Sequence, residues 1–297
     1  MKILYIGVHT QETWRAEFWL SNAFINLGHT VIEYDYKSNR KKFKPWTTIG
    51  KEISQIENKM QPDIILLQRG KSMSMEVIKK LTKPIFFWST EPIKLKTDVD
   101  KLLKSNIYKW VFVHSYSCLE RIKSEFSQLI DKCSVMHNAC PKDIINFHSV
   151  KPLFAIFNRN LSNRRKKWLK PSEKHINIIQ GKFGNDYFDD LRRAQISVNI
   201  HYSEKNLDDF ETGIFEAMAS GCAIVSERLN DQTLIDLEMT DAIIQVDSPK
   251  GLKEKLELLY LNHNMITDYM KKSNNVIKQN TWNDRAGLFI DKFKDYI

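Results

Sequence analysis

Short, almost wholly apolar runs recur along this chain. Segments with the apolar spacing of helices stand between them, and that alternation leaves few folds open. KILYIGV, from Lys2, is a near-continuous apolar run, as a strand buried on both faces requires. An amphipathic segment from Glu12 to Leu27 follows, and Gly28 stops it. HTVIEYDY reads as a second strand, the stretch from Ile49 to Lys59 as a helix before Pro62, and DIILLQR as a third strand closed by Gly70. MEVIKKL is a short helix, PIFFWST and KWVFVHS are strands, a helix runs through Cys118 to Leu129, and CSVMHNA is a sixth strand. Strands and helices alternating in this way predict βαβ units and a parallel sheet.

The loop-rich stretch NACPKDIINFHSVKP holds two prolines and no clear period, so a domain boundary is placed in it, at 145/146. The rhythm then restarts. LFAIFNRN, HINIIQGKFG, RRAQISVNIHY, AIVSE and DAIIQV supply strands, and NRRKKWL and TGIFEAMASG supply helices. Helices from Lys250 to Asn262, Met265 to Lys278 and Trp282 to Tyr296 close the chain. The expectation is two α/β domains, 1–145 and 146–297, with the last helix crossing back to the first. At 297 residues, each half has the usual domain size of about 150.

Composition narrows the function. Hydrophobic residues make up 42%, enough to fill real cores, and no run nears the roughly 20 apolar residues of a membrane-spanning helix. The N-terminal run lacks the long apolar region and cleavage site of a signal peptide. Four scattered cysteines show no metal-ligand spacing and read as buried thiols of a cytoplasmic protein; no metal site is expected. The net charge of +9 fits either a solvated lysine-rich surface or a patch for polyanions. The turn after the first strand lacks Gly-x-Gly-x-x-Gly, which argues against a dinucleotide cofactor.

The most informative segment is DDFETGIFEAMASGCAIVSE, from Asp208: loop, helix, glycine stop, buried strand. The amides of Thr212, Gly213 and Ile214 open the helix, and such an end is a natural phosphate site. Gly213 allows a ligand to approach closely. Glu216 sits among apolar neighbours. Either it grips a pair of ribose hydroxyls or it lies on an exposed face. Glu211 stands at the same helix start, where an acid is favoured by the dipole. Arg164 follows a strand and a polar turn that holds Asn158. It suits a diphosphate or a solvated helix start. Lys182 is a second phosphate candidate. His201, at a strand end, faces a cleft or sits in a core. His9 belongs to the turn that closes the first strand. Glu91 is an acid or base after the fourth strand, or a cap before Pro92, and His114 closes the fifth strand.

This segment resembles the donor motif of retaining glycosyltransferases with the GT-B fold: an acid, seven intervening residues, then Glu-Ala-Met-Ala-x-Gly, here at Asp208 and Glu216. The wider match is similar to the spore-maturation (CgeB-like) branch, through FFWSTEP, VFVHSYSCLERI, FNRNLSNRRKKWL, ISVNIHY and TWNDR in order. Two departures stand out: Asp208 replaces the usual Glu, and many members of the branch carry Arg where Gly213 stands. The resemblance implies two Rossmann-like domains facing a central cleft, an acceptor-side domain followed by a nucleotide-sugar-binding one. It implies that Glu216 holds the ribose with Glu211 in the same donor set, that the turn at His9 lies under the donor sugar, and that Asp208 faces that sugar as a catalytic group, with Glu91 on the acceptor side and His114 beside a sugar hydroxyl as the other catalytic candidates. The expected activity is transfer of a sugar from a nucleotide diphosphate sugar, UDP-linked by preference, with retention at the anomeric carbon. The acceptor (glycan, protein, small molecule or nucleic acid) stays open. No Asp-x-Asp pattern suits a metal, so the transfer is expected to be metal-independent, with no cofactor beyond the donor. The competing readings are a nucleotide-sugar epimerase and a basic nucleic-acid-binding protein, including one with DNA as glycosyl acceptor.

Overall fold

The computed structural model describes residues 1–9, 15–42, 44–90, 98–147, 150–204 and 210–297. Glu91 and Asp208, both named above, lie outside the described residues. The chain divides into two compact units, Met1–His137 with Asn283–Ile297, and Asn138–Trp282.

In unit 1 the order is β1 (Lys2–Gly7), α1 (Ala16–Asn26), β2 (Thr30–Asp35), α2 (Tyr36–Lys41), α3 (Trp46–Met60), β3 (Ile64–Gln68), α4 (Met75–Ile78), β4 (Ile85–Ser89), α5 (Asp100–Leu103), β5 (Tyr108–Val113), α6 (Tyr116–Glu125) and β6 (Cys133–Val135). The strands pair in parallel in the order β2-β1-β3-β4-β5-β6. Every residue of β3 and β4 is buried, because helices cover both faces of these central strands. β2, at the edge, is largely part-exposed, and its sequence mixes polar with apolar residues accordingly.

Unit 2 repeats the scheme: β7 (Leu153–Phe157), α7 (Asn163–Leu169), β8 (Asn177–Ile178), α8 (Asn185–Arg193), β9 (Ala194–Asn199), α9 (Thr212–Ala219), β10 (Ala223–Glu227), α10 (Asp231–Asp236), β11 (Ile243–Val246), α11 (Pro249–Leu261) and α12 (His263–Ile277). Its parallel sheet runs β11-β10-β9-β7-β8. The loop-rich stretch after His137 packs with this unit. The Cys140 N–H donates to the Asn280 carbonyl at 3.1 Å, the Trp282 N–H to the Cys140 carbonyl at 2.9 Å, and the Asn146 N–H to the Ala219 carbonyl at 2.9 Å. The break between units therefore falls after His137, ahead of 145/146.

The last helix, α13 (Trp282–Lys294), is grouped with unit 1. Its apolar stripe explains why. Alternation along β4 puts Phe86 and Trp88 on one face and Phe87 on the other. Phe293 lies 4.5 Å from Phe86, and Phe289 lies 5.2 Å from Trp88 and 4.7 Å from Phe112, between ring centroids. Phe24 of α1 joins the same cluster at 6.1 Å from Phe289. The opposite face holds Phe87 stacked on Tyr108 at 5.2 Å.

Two local expectations change. The helix through Cys118 ends at Glu125, and a 3₁₀ turn takes over at Ser127–Lys132, because Phe126 turns into the core with an extended φ of −129°. The strand in HINIIQ shrinks to two exposed edge residues.

Both sheets share one topological device. In each, the chain leaves its first strand for one side, then returns to build on the other. The switch point lies between β1 and β3 in unit 1 and between β7 and β9 in unit 2. Open parallel sheets bind ligands beyond the carboxyl ends of their strands at such points.

Candidate active site at the switch point of unit 2

The helix α9 begins beside the switch point of unit 2, with Glu211 as its N-cap residue. Glu211 makes no capping hydrogen bond. Its carboxylate turns instead to two guanidinium groups. Arg159 Nη1 donates to Oε2 at 2.6 Å, and Arg165 Nη2 donates to both oxygens, at 2.9 and 3.1 Å. Burial works against this carboxylate's charge, yet the two arginines outweigh it and hold its pKa below the usual value.

Arg159 stands two residues past β7 and was not singled out from sequence. Its guanidinium lies directly over Gly213: a Cβ there would lie 2.5 Å from Nη2, so a side chain at this position would push the guanidinium aside. The Arg159 side chain is only 9% exposed, and among the described residues buried Nε and Nη2 find no acceptor. The neighbouring Asn158 also has a buried amide nitrogen, Nδ2, that meets no acceptor among those residues. A cation at the positive end of a helix is electrostatically unfavourable, and each unmet buried donor costs about 1–3 kcal/mol. An anion seated between Arg159 and the first-turn amides removes both penalties.

Arg165 builds the scaffold beneath. Its Nε donates to the Ile200 carbonyl at 2.7 Å and its Nη1 to the Asn160 carbonyl at 3.0 Å. Those bonds tie the turn after β7 to the end of β9, and so fix where Arg159 and Glu211 meet. One turn along α9 from Gly213, on the same face, Glu216 accepts the Tyr187 hydroxyl on Oε2 at 2.9 Å. Among the described residues nothing bonds its Oε1. Burial raises the Glu216 pKa, with Tyr187 and Arg159 opposing the shift. The carboxylate is therefore short of donors, the condition that a pair of sugar hydroxyls corrects.

The remaining candidates are distributed as follows. Thr212, Gly213 and Ile214 form the first turn of α9 as expected. Arg164 is engaged inside unit 2: both its Nη atoms bond Glu227, one also reaches the His201 carbonyl at 3.1 Å, and the guanidinium lies over Trp168. Lys182 pairs with Asp190 at 2.8 Å. His201 is fully buried, its Nε2–H donating to the Arg228 carbonyl at 3.0 Å. In unit 1, His9 folds back against β1, with Nε2–H donating to the Tyr5 carbonyl at 3.1 Å and Nδ1 3.6 Å from Glu33; burial lowers its pKa despite that carboxylate. His114 is buried just beyond β5. The structure thus gathers Asn158, Glu211, Thr212, Gly213, Ile214 and Glu216 around one helix end. It adds Arg159, Arg165 and Tyr187, which sequence reasoning missed.

The depressed Glu211 pKa has a measurable consequence. Such a group contributes stability above its unfolded pKa, about 4.3, and loses it as pH falls through the folded value. Glu211→Gln is expected to melt below the wild type at pH 7, and the gap is expected to close below about pH 4. Melting curves from pH 7 to pH 3 test this.

Residues 154–291 match the family model described as Glycosyl transferase-like. The matched residues are similar to that family, lie mostly in unit 2 and run on into α13, and the two parallel α/β units have the GT-B fold class of glycosyltransferases. Solved structures agree over nearly the full length. A glycosyltransferase from Rickettsia africae has 13% identity and a TM-score of 0.70, covering 99% of this chain and 98% of that one. Sucrose-phosphate synthase from Thermosynechococcus elongatus has 11% identity and a TM-score of 0.72, covering 99% and 98%. HepE from Anabaena, solved in complex with UDP and glucose, has 10% identity and a TM-score of 0.70, covering 99% and 100%. No curated protein matches the sequence. No helix among the described residues is long and apolar enough to cross a membrane.

Proposed function

We propose that the chain is a nucleotide-sugar-dependent glycosyltransferase whose donor, UDP-linked, sits at the switch point of unit 2. The observation that carries this reading is Arg159, a buried guanidinium with unmet donors held against the opening turn of α9. A pyrophosphate supplies the anion that this arrangement lacks. As the glycosidic bond to the diphosphate breaks, negative charge grows on the leaving oxygens. Arg159 and the Thr212 and Gly213 amides stabilise that charge from fixed positions, without solvent reorganisation. Glu216 holds the ribose. Unit 1 takes the acceptor. Transfer proceeds with retention and without a metal ion, and the spore-maturation branch is the proposed subtype. Four buried thiols, none in a disulfide, fit a cytoplasmic setting.

A thermal-shift screen of UDP-, GDP-, ADP- and TDP-glucose tests the donor. UDP-glucose is expected to raise the melting temperature most, and no shift with any of the four removes the donor reading. Glu216→Ala is expected to weaken uridine and UDP alike, by about 10- to 100-fold each, since hydrogen bonds to a charged group are worth about 1.5–3 kcal/mol. Calorimetry in which UDP suffers and uridine does not would move Glu216 away from the ribose. Turnover that persists in EDTA, and a product whose anomeric configuration matches the donor by NMR, are the expected results for mechanism.

A further inference from the structure

Unit 1 has its own switch point, between β1 and β3. A cavity of about 530 Å³ opens beyond the carboxyl ends of β1, β2 and β3. That is the size range of small-molecule sites. Its walls are Val8 after β1, Tyr36, Lys37, Arg40 and Lys41 of α2, Trp46 of α3, and Arg69, Lys71 and Ser72 after β3. Five of these nine residues are cations, and none is an acid.

The nearby carboxylates are already committed. Glu17, fully buried, receives Arg69 Nε at 2.6 Å. Asp35 caps α2 by accepting from Ser38 at 2.9 Å, and Asp98 accepts from the Ser72 hydroxyl at 2.7 Å. Glu52 pairs with Lys44 at 2.6 Å. Among the described residues no carboxylate pairs with Lys37, Lys41 or Lys71. Arg40 reaches only the Lys44 carbonyl, at 2.9 Å, and lies 5.5 Å above Trp46. Like charges gathered on a concave wall repel one another and raise the local concentration of anions.

The backbone helps to concentrate them. Arg69 and Gly70 both have φ of +65°, so the chain turns sharply as it leaves β3. A Cβ on Gly70 would lie 2.5 Å from Leu102, so the turn needs glycine. It sets Arg69 and Lys71 across the cavity from α2.

We infer that this cavity binds a small phosphate ester through Lys37, Arg40, Lys41, Arg69 and Lys71, and that the sugar acceptor is accordingly a phosphate-bearing molecule. That the occupant is the acceptor rests on the glycosyltransferase reading; that the cavity takes a phosphate ester does not. Tyr36 and Trp46 offer apolar surface to the organic part of the ligand, whereas a bare inorganic anion would leave that surface unused. A duplex nucleic acid is too wide to enter such a cavity and would engage its rim only.

Calorimetry with glycerol 3-phosphate, glycerol and a short DNA duplex tests this on the whole chain, for the wild type and for Lys41→Glu/Lys71→Glu. Both lysines are exposed, and matching melting temperatures establish that the variant folds. The wild type is expected to bind glycerol 3-phosphate at least tenfold more tightly than glycerol. The variant is expected to lose that preference while binding UDP as the wild type does. Equal affinity for the phosphate ester and glycerol, or a preference unchanged in the variant, overturns the site. Duplex binding that falls steeply with salt, with no binding of the ester, overturns it in favour of a nucleic-acid surface. Failure of UDP to bind the wild type, with ester binding intact and lysine-dependent, refutes the donor reading and leaves this cavity standing.

Discussion

Truncating Arg159 to alanine is expected to weaken UDP binding about 100-fold and to leave uridine within about threefold of the wild type. Hydrogen bonds from a guanidinium to an anion contribute about 1.5–3 kcal/mol, and about 1.4 kcal/mol is a factor of ten. The selectivity follows from position. Arg159 stands over the first turn of α9, where the phosphates belong, whereas the group placed for the ribose is Glu216, one turn further in. The fold is expected to survive, because Glu211 keeps its bonds to Arg165. Arg159→Lys retains the charge without the planar fork and is expected to fall between wild type and alanine. Calorimetry with UDP and uridine on the three proteins reads both effects. Equal loss for the two ligands would deny Arg159 a phosphate role.

The second large effect concerns stability. Phe289→Ala is expected to cost about 3–5 kcal/mol, the usual range for deleting a fully buried aromatic ring. Phe289 is 0% exposed and sits among Phe24, Trp88, Phe112 and Phe293, so no one neighbour can collapse into the vacancy. Because α13 arrives from the far end of the chain, the loss is also expected to loosen the helix from β4 and β5. Denaturant unfolding followed by tryptophan fluorescence, with Trp88 in the cluster, measures it. A change below about 1 kcal/mol would mean that α13 contributes little to unit 1.

The strands were legible because burial on both faces writes itself as uninterrupted apolar runs, as in IILLQ and IFFWS. Four helices, α2, α5, α8 and α10, were passed over. In α2 and α10 the sequences YKSNRK and DQTLID are short and dominated by polar residues, so their apolar contacts are too few to mark a period; α5 is a single turn, and α8, NDYFDDLRR, is amphipathic but only nine residues long. Missing α8 also hid Tyr187, whose hydroxyl meets Glu216 only because that helix packs beside α9.

The site was half visible. The helix start at Thr212 and the odd carboxylate at Glu216 stand out in one segment. The choice between arginines did not. Arg159, Arg164 and Arg165 share one polar turn and helix start, and nothing local ranks them. Glu227, far along the chain, engages Arg164, while Glu211 and Gly213 claim Arg159. Long-range pairing of that kind carries no signature in a single sequence. The same limit applied to the cations of unit 1. Lys37, Arg40 and Lys41 look like an exposed basic helix until the turn at Arg69 and Gly70 brings Lys71 across from them.

The most direct measurement is a crystal structure of the protein with UDP. The account predicts density for the pyrophosphate against the Thr212 and Gly213 amides, an Arg159 nitrogen about 2.7–3.2 Å from a phosphate oxygen, and the ribose hydroxyls on Glu216. A nucleotide bound elsewhere, or a helix end still sealed by its own arginine with UDP in saturating amount, would contradict it.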